Sequence, residues 1–498
     1  METNIKKKTV SDIITPDAIK SWSPGDVVFI SAGTGNGKSY FIQNGLYEHC
    51  KAEGKRILYL VNRTYLLNKF TMTIAKEKKG DIIHLQTYQY YEANHRRTLG
   101  KYDYIIADES HFFFADAAFN QRTDICFNRI LEQDKTVRIF MTATETQILG
   151  YLRDKLKLEV KTYVMEPNYG HIEELVFYHS EECLESIVEH IIGSGDKGLL
   201  FINDGKKALA LYRKYEEYSM FNVSQYNKKF AQYNKSDQIQ KMLQEEKFDT
   251  QLLITTTALD NGINLVDRDI KYIVCDISDT MSLVQAIGRK RIQGYDDKIC
   301  LFVKVVNNRQ LAGLERQNKK RLEHAEFLRV HGANEYVNSF YRQQDRSGAI
   351  YDCIDEHGHM TKRVNEQRYW KIRLDAREAR QIIGLGEYGY CEYIKRKLRQ
   401  REYEVWTKRK QKENIVQYLE RNVGRRYYKD DKRELIETLN IRDADGRKQN
   451  TPDCFNAHFK NVRIPYTIEQ GKDRNKYLLD GKVNPNLNHW YWEIVIVR

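Results

Sequence analysis

Residues 31–40 read SAGTGNGKSY. From Ala32 the stretch follows the phosphate-loop pattern G-x-x-x-x-G-K-[ST], with alanine in first place and then Gly33, Thr34, Gly35, Asn36, Gly37, Lys38 and Ser39. Small residues let consecutive backbone N–H groups turn inward as an anion cradle. Lys38 would reach the outer phosphates and the Ser39 hydroxyl would sit on Mg²⁺. The flanks decide the fold: DVVFI (Asp26–Ile30) reads as a short buried strand and SYFIQNGLYEHC (Ser39–Cys50) as a helix. A phosphate at that helix N-terminus also gains from the helix dipole. An ordinary glycine turn between strand and helix would need neither Lys38 nor Ser39.

Outward from this loop, the first 300 residues alternate short β-branched runs with longer amphipathic stretches. Candidate strands are VVFI (27–30), ILYLV (57–61), DIIHL (81–85), YIIAD (104–108) and RIFMTA (138–143). After a break near 150–170 the pattern resumes with ELVFY (174–178), GLLFIN (198–203), LLITTT (252–257), YIVCDI (272–277) and ICLFVKVV (299–306). Strands spaced by helical segments predict parallel sheets covered on both faces. Ten strands with a break exceed one ordinary α/β domain, so two are expected. After residue 308 the texture changes to charged helices, with no apolar strand run until the end.

Charge divides the chain in the same place. Residues 301–498 hold 41 Lys and Arg against 28 Asp and Glu, a net of +13, which leaves residues 1–300 at −1. A basic segment rich in Tyr and Trp has the composition of a polyanion-binding surface. No apolar run approaches the ~20 residues that span a bilayer, and the start METNIKKKTVSD is too polar for a secretory signal. The eight cysteines are scattered with no C-x-x-C pair, which points to reduced thiols and a cytoplasmic setting without a membrane partner. Cys353, His357 and His359 in CIDEHGH read as a polar loop.

Further chemistry lies at strand ends. DYIIADESH (Asp103–His111) puts two carboxylates at the C-terminal end of a strand, where open α/β sheets bind ligands. Asp108 is placed to hold Mg²⁺, and Glu109 to orient and deprotonate an attacking water. MTATET (Met141–Thr146) ends the next strand, with Thr142 and Thr144 in reach of Glu109 or His111. SLVQAIGRKRIQG (Ser282–Gly294) lies about 250 residues past the loop, and its planar guanidinium groups suit the charge that develops on a transferring phosphoryl group.

Taken in order, AGTGNGKS, DESH, TAT, TTTALDNGINL (Thr255–Leu265) and QAIGRKR resemble motifs I, II, III, V and VI of superfamily 2 helicases of the DExH branch, over roughly residues 20–305. VNRTYLLNKF (61–70), QTYQ (86–89) and FIND (201–204) resemble the weaker motifs between them. The resemblance implies an α/β fold of two tandem RecA-like parallel-sheet domains that clamp ATP and grip single-stranded nucleic acid. It also implies an ATP-hydrolysing helicase or translocase with Mg²⁺ as cofactor. By position, Lys38 and Ser39 would bind phosphate and Mg²⁺, Asp108 would hold the metal, and Glu109 would be the base. Gln285 would sense the γ-phosphate, Arg289 would be an arginine finger, and Gly262 and Asn264 would line the nucleotide site. Arg63, Thr87, Thr142 and Thr256 fall where family members touch or couple to the strand.

Three departures stand out. The usual last motif is Q-x-x-G-R-x-x-R, but Arg291 comes one residue early, and on a regular helix i+2 points about 100° away from i. Either Arg291 acts through a local distortion or Arg289 acts alone. The contracted form is similar to that of herpesvirus-type origin-binding helicases and phage or mobile-element relatives, which makes DNA, single-stranded or forked, the expected partner, together with replication or mobile-element proteins. Asn264 replaces a common Asp. No glutamine precedes Gln43, so the adenine-reading glutamine of DEAD-box proteins is missing. Trp22 reads as a packing residue.

The expected domains are 1–165 (P-loop, DESH, TAT), 166–308 (the later motifs), a basic helical extension over 309–412, and a winged-helix-like domain over 413–498 with Thr451–Val462 as its recognition helix. Two functions share these residues: a motor that separates or travels along strands, and a nucleic-acid-stimulated ATPase that clamps or remodels without separating them.

Overall fold

The computed structural model describes residues 8–33, 35–118, 120–143, 146–224, 227–256, 264–343, 345, 347–355, 357–406, 409–443, 447–477 and 481–497. The chain divides into two compact units. The first takes in the chain up to Asn168, with Asn264 and Ala312–Gln381; the second takes in the chain from Tyr169, Leu265–Leu311, and everything from Ile382 on.

The first unit is built on β1 (Val27–Ser31), β2 (Ile57–Val61), β3 (Ile83–Thr87), β4 (Tyr104–Ala107), β5 (Val137–Thr142) and β6 (Val160–Val164). They lie in the order β3-β2-β4-β5-β1-β6, and every pair is parallel. The runs are apolar throughout because both faces are covered. Val28, Ile30, Tyr59, Ile106, Ile139 and Met141 enter one layer, and Phe29, Leu58, Leu60, Ile105 and Phe140 the other. This is the period-two alternation of a strand buried on both sides. β6 falls in the stretch that reads as a break, because VKTYV is an edge strand with three half-buried positions. β5 alone separates β1 from β4, so the loops after β1 and β4 leave the same edge one strand apart.

The second unit repeats the plan with β7 (Ile172–Tyr178), β8 (Lys197–Ile202), β9 (Ser219–Asn222), β10 (Leu252–Thr255), β11 (Ile270–Asp276) and β12 (Ile299–Lys304). Their order is β7-β12-β11-β8-β10-β9, again all parallel. Two parallel α/β sheets in tandem are the RecA-like pair that the sequence resemblance implies.

Beyond β12 the structure departs from an all-helical reading. A hairpin, β13 (Ile350–Ile354) with β14 (Met360–Val364), separates the helices Asn308–Phe340 and Glu366–Gly384. The first helix is interrupted at Gly332, where φ is 80°. The two helices run antiparallel, and ion pairs step along them: Glu315 with Arg380, then Arg329 with Glu366. This insert is fastened to the helices that cover the first sheet. The Tyr351 hydroxyl donates to Asp124 Oδ2 (3.0 Å), Asn365 Nδ2 donates to Thr123 Oγ1 (3.0 Å), and Trp370 Nε1 donates to the Gln147 carbonyl (3.2 Å). The stretch read as one basic extension is thus shared between the two units.

In the second unit β15 (Glu404–Val405) adds in parallel to the free edge of β7. The helices Arg409–Arg421, Lys429–Leu439 and Pro452–Asn461 then pack on a small antiparallel sheet of β16 (Arg426–Tyr427), β17 (Tyr466–Lys472) and β18 (Trp490–Ile496). Thr451–Val462, read as a recognition helix, turns one face into the core of this domain. It buries Phe455, His458 and Phe459, its Asn456 exchanges two hydrogen bonds with Ile468, and Asp453 and Lys460 are the charges it leaves exposed. Among the described residues no helix is long and apolar enough to cross a membrane.

Candidate nucleotide-binding site

At the end of β1, Gly35 and Gly37 have φ of 81° and 82°. This is the left-handed region that costs a side chain about 1 kcal/mol or more and glycine nothing. The turn this allows is pinned on both sides. The Asn36 carbonyl accepts from Val10 N (2.9 Å) and Ala32 N donates to the Thr142 carbonyl (3.1 Å), while Phe41 N donates to the Gly37 carbonyl (2.8 Å) to start the helix. Lys38 is buried, and its Nζ donates to the Ala32 carbonyl (2.7 Å), folding the ammonium over its own loop beside Gly33. Thr34 lies outside the described residues.

Asp108, at the end of β4, is also buried. The Tyr59 hydroxyl, from the middle of β2, donates to Asp108 Oδ2 (2.6 Å) and lies 3.4 Å from Ser39 Oγ, whose own hydroxyl can donate back to it. One phenol therefore joins the loop serine to the carboxylate that the sequence placed on the same cation. A second phenol, Tyr88, donates to the Asp108 carbonyl (2.5 Å). Burial, and after it the charge of Glu109, push the Asp108 carboxyl up to about 6, against the opposing pull of the Tyr59 hydrogen bond and the Lys38 ammonium. The donor set of serine hydroxyl, carboxylate and lysine suits a hard cation carrying phosphate oxygens.

Glu109 has φ of 49°, a conformation rare for a side-chain-bearing residue, which costs of order 1–3 kcal/mol. Its neighbours hold it there. Glu109 N donates to Asp108 Oδ1 (2.9 Å), and both N and Oγ of Ser110 donate to the Met141 carbonyl (2.8 and 2.9 Å). The turn leaves the carboxylate half-buried, 3.3 Å from His111 Nδ1. The first sheet thus brings Gly33, Gly35, Asn36, Gly37, Lys38, Ser39, Asp108, Glu109 and Thr142 to one edge.

The residues that the resemblance assigns to the strand have structural uses as well. Arg63 Nη2 pairs with Asp116 Oδ2 at 2.9 Å. Thr87 Oγ1 accepts from Tyr90 N (3.1 Å) and caps the helix Tyr88–Asn94. Thr142 is fully buried, and the Thr256 carbonyl accepts from Thr255 Oγ1 (3.0 Å). Thr144 and Gly262 lie outside the described residues. Trp22 is a packing residue: it is buried, and its Nε1 donates to the Tyr163 hydroxyl at 3.1 Å.

In the second unit Gln285 sits half-buried on the helix Thr280–Ile287, which Asp279 caps through Ser282 N (2.8 Å). The helix stops at Ile287, so the spacing problem posed by Arg291 does not arise on a helix. Arg289–Arg291 is extended: Leu265 N donates to the Arg289 carbonyl and Arg291 N to the Leu265 carbonyl, both at 2.8 Å. Arg289, which is buried, and Arg291 flank the bridged Lys290, and Asn264 precedes their backbone partner. Lys290 is fully buried, with its Nζ on Asp297 Oδ1 (2.5 Å) and the Ile270 carbonyl (2.8 Å). Asp297 Oδ2 also accepts from Gln293 N at 2.9 Å.

Sequence reasoning did not single out Tyr59, Lys290 or Asp297. For Tyr59 a signal existed, because a tyrosine inside a continuous apolar run needs a partner for its hydroxyl once buried.

No protein-family model and no curated protein matches the sequence. Among solved structures the chain is similar to S. cerevisiae Dbp5 bound to RNA and ADP BeF3, at 15% identity over 58% of this chain and 81% of that one, with a TM-score of 0.43. It is similar to Mss116p bound to single-stranded RNA and AMP-PNP (14% identity, 59% and 68% covered, TM-score 0.41). It is also similar to the ATP-dependent Type ISP restriction-modification enzyme LlaBIII bound to DNA, at 11% identity over 58% of this chain and 27% of that one, with a TM-score of 0.41.

Proposed function

We propose that the chain is a nucleic-acid-dependent ATPase of the superfamily 2 DExH type, working as a helicase or translocase on DNA. The observation that carries the reading is the Ser39–Tyr59–Asp108 connection beside the buried Lys38, which joins loop serine, carboxylate and lysine at one sheet edge. Bound Mg²⁺–ATP supplies the phosphoanhydride whose cleavage drives the cycle. Lys38 would neutralise phosphate oxygens, and Ser39 and Asp108 would hold the cation. Glu109 orients a water and takes its proton at the carboxylate. By the resemblance, Gln285 is the γ-phosphate sensor, and Arg289 and Arg291 meet the charge that builds up in the transition state.

The test is ATP hydrolysis with and without single-stranded DNA, single-stranded RNA and duplex, with Lys38→Ala as the blank. Stimulation by a strand, lost in Lys38→Ala, supports the reading, and a following unwinding assay separates a motor from a clamp. A rate that no polymer changes refutes it.

A further inference from the structure

The helix Glu366–Gly384 buries Ile372, Ala376 and Ala379 on one side. On the other it exposes Arg373, Arg377 and Arg380, which with Gln381 line an open cleft of about 410 Å³. We infer that this cleft is a binding site for the phosphate backbone of a single nucleic-acid strand. The inference rests on the nucleic-acid reading above and names the surface that would carry it.

Three features point to that ligand. The arginines recur at four and three residues, about 6 and 4.5 Å along the axis, close to the step between successive phosphates of an extended strand. Planar guanidinium groups grip phosphate oxygens through two parallel hydrogen bonds. Two nearby carboxylates are already engaged: Asp375 with Lys371 at 2.8 Å and Glu366 with Arg329 at 2.8 Å. Glu315 meets Arg380 at 3.5 Å and would have to share it with a phosphate.

A membrane surface fits less well, because no large apolar side chain between residues 366 and 384 is exposed. The row of arginines is also held on the ATPase unit. Trp370, three residues before Arg373, donates to the carbonyl of Gln147, which lies five residues past Thr142 at the end of β5. A strand in the cleft would thus be held on the unit that carries Lys38 and Asp108.

The experiment measures the affinity of the full chain for labelled single-stranded DNA and RNA across a salt series. Arg373→Glu/Arg377→Glu/Arg380→Glu is compared with a control of equal charge change, Lys51→Glu/Lys76→Glu/Lys101→Glu, on exposed positions of the same unit. A glutamine triple at the three arginines, together with thermal unfolding, guards against misfolding. At about 0.7 per phosphate contact, the log–log salt slope of the arginine variant should be shallower by about 2 and its affinity at least about 10-fold weaker, with the control keeping the wild-type slope. Both arginine variants binding like wild type, or a control that falls as far, overturns the inference while leaving the ATPase reading standing. Equal capture of polyglutamate by the wild type overturns it too, since the cleft would then recognise anionic chains in general. A wild-type chain that binds no strand overturns both readings.

Discussion

The two sheets bury opposite charges at opposite ends of their strands, the first beyond the end of β4 and the second at the starts of β11 and β12. At its C-terminal edge the first buries a negative charge, Asp108, and satisfies it with a phenol, a backbone N–H and a nearby ammonium. The second buries a positive charge, Lys290, and satisfies it with a carboxylate and a carbonyl. The first arrangement puts its buried charge where ligand chemistry is expected. The second uses its buried charge as an anchor that ties the segment after the helix Thr280–Ile287 to the starts of β11 and β12.

The comparison can be broken at Glu109. Glu109→Gln should keep nucleotide binding while turnover falls about 10³-fold, roughly 4 kcal/mol in barrier. Near-normal turnover would remove Glu109 as the base and leave the first edge with binding alone.

A smaller effect, in stability, is expected at the anchor. Lys290→Met leaves Asp297 buried without its cation and should lower unfolding stability by about 3 kcal/mol, which denaturant titration would read. Lys290→Met/Asp297→Leu should recover most of that loss. If the pair positions Arg289 and Arg291, polymer-stimulated hydrolysis stays depressed in the refolded double variant. A double variant with full activity would reduce the pair to packing.

The smallest effect should come from Tyr59→Phe, which removes one donor from a buried carboxylate at a cost of about 1–2 kcal/mol. Read as Mg²⁺–nucleotide affinity, it should move that affinity several-fold and leave the Arg373 cleft's salt slope unchanged. A variant with wild-type nucleotide affinity would show that the phenol only fills space.

Much of this was legible in the residues. Strands such as ILYLV and YIIAD are unbroken apolar runs because they are buried on both faces, and the P-loop glycines mark the positive-φ turn that only they tolerate cheaply. β6 and β9 were missed: VKTYV and SMFN mix polar and apolar positions, so their strand character comes from the neighbour they pair with. The end of the helix at Ile287 was illegible for a different reason. QAIGRKR is compatible with a helix, and what holds it extended is Leu265, some 25 residues upstream, with Asp297 downstream. The docking of Trp370 on the helix Thr146–Gly150 beyond β5 depends on a contact across 223 residues, which no local pattern records.

That long reach has a consequence for synthesis. The six strands of the first sheet have all been made once Val164 has left the ribosome, yet the insert carrying Tyr351, Asn365 and Trp370 follows roughly 200 residues later, on the order of 10–40 s at usual elongation rates. Meanwhile the nascent chain carries Asp124 and the rim around Tyr151 uncovered, while the whole second sheet is threaded out between the two parts of the first unit. The first unit must therefore wait, with part of its apolar rim exposed to chaperones, until a segment from beyond the second sheet arrives to close it.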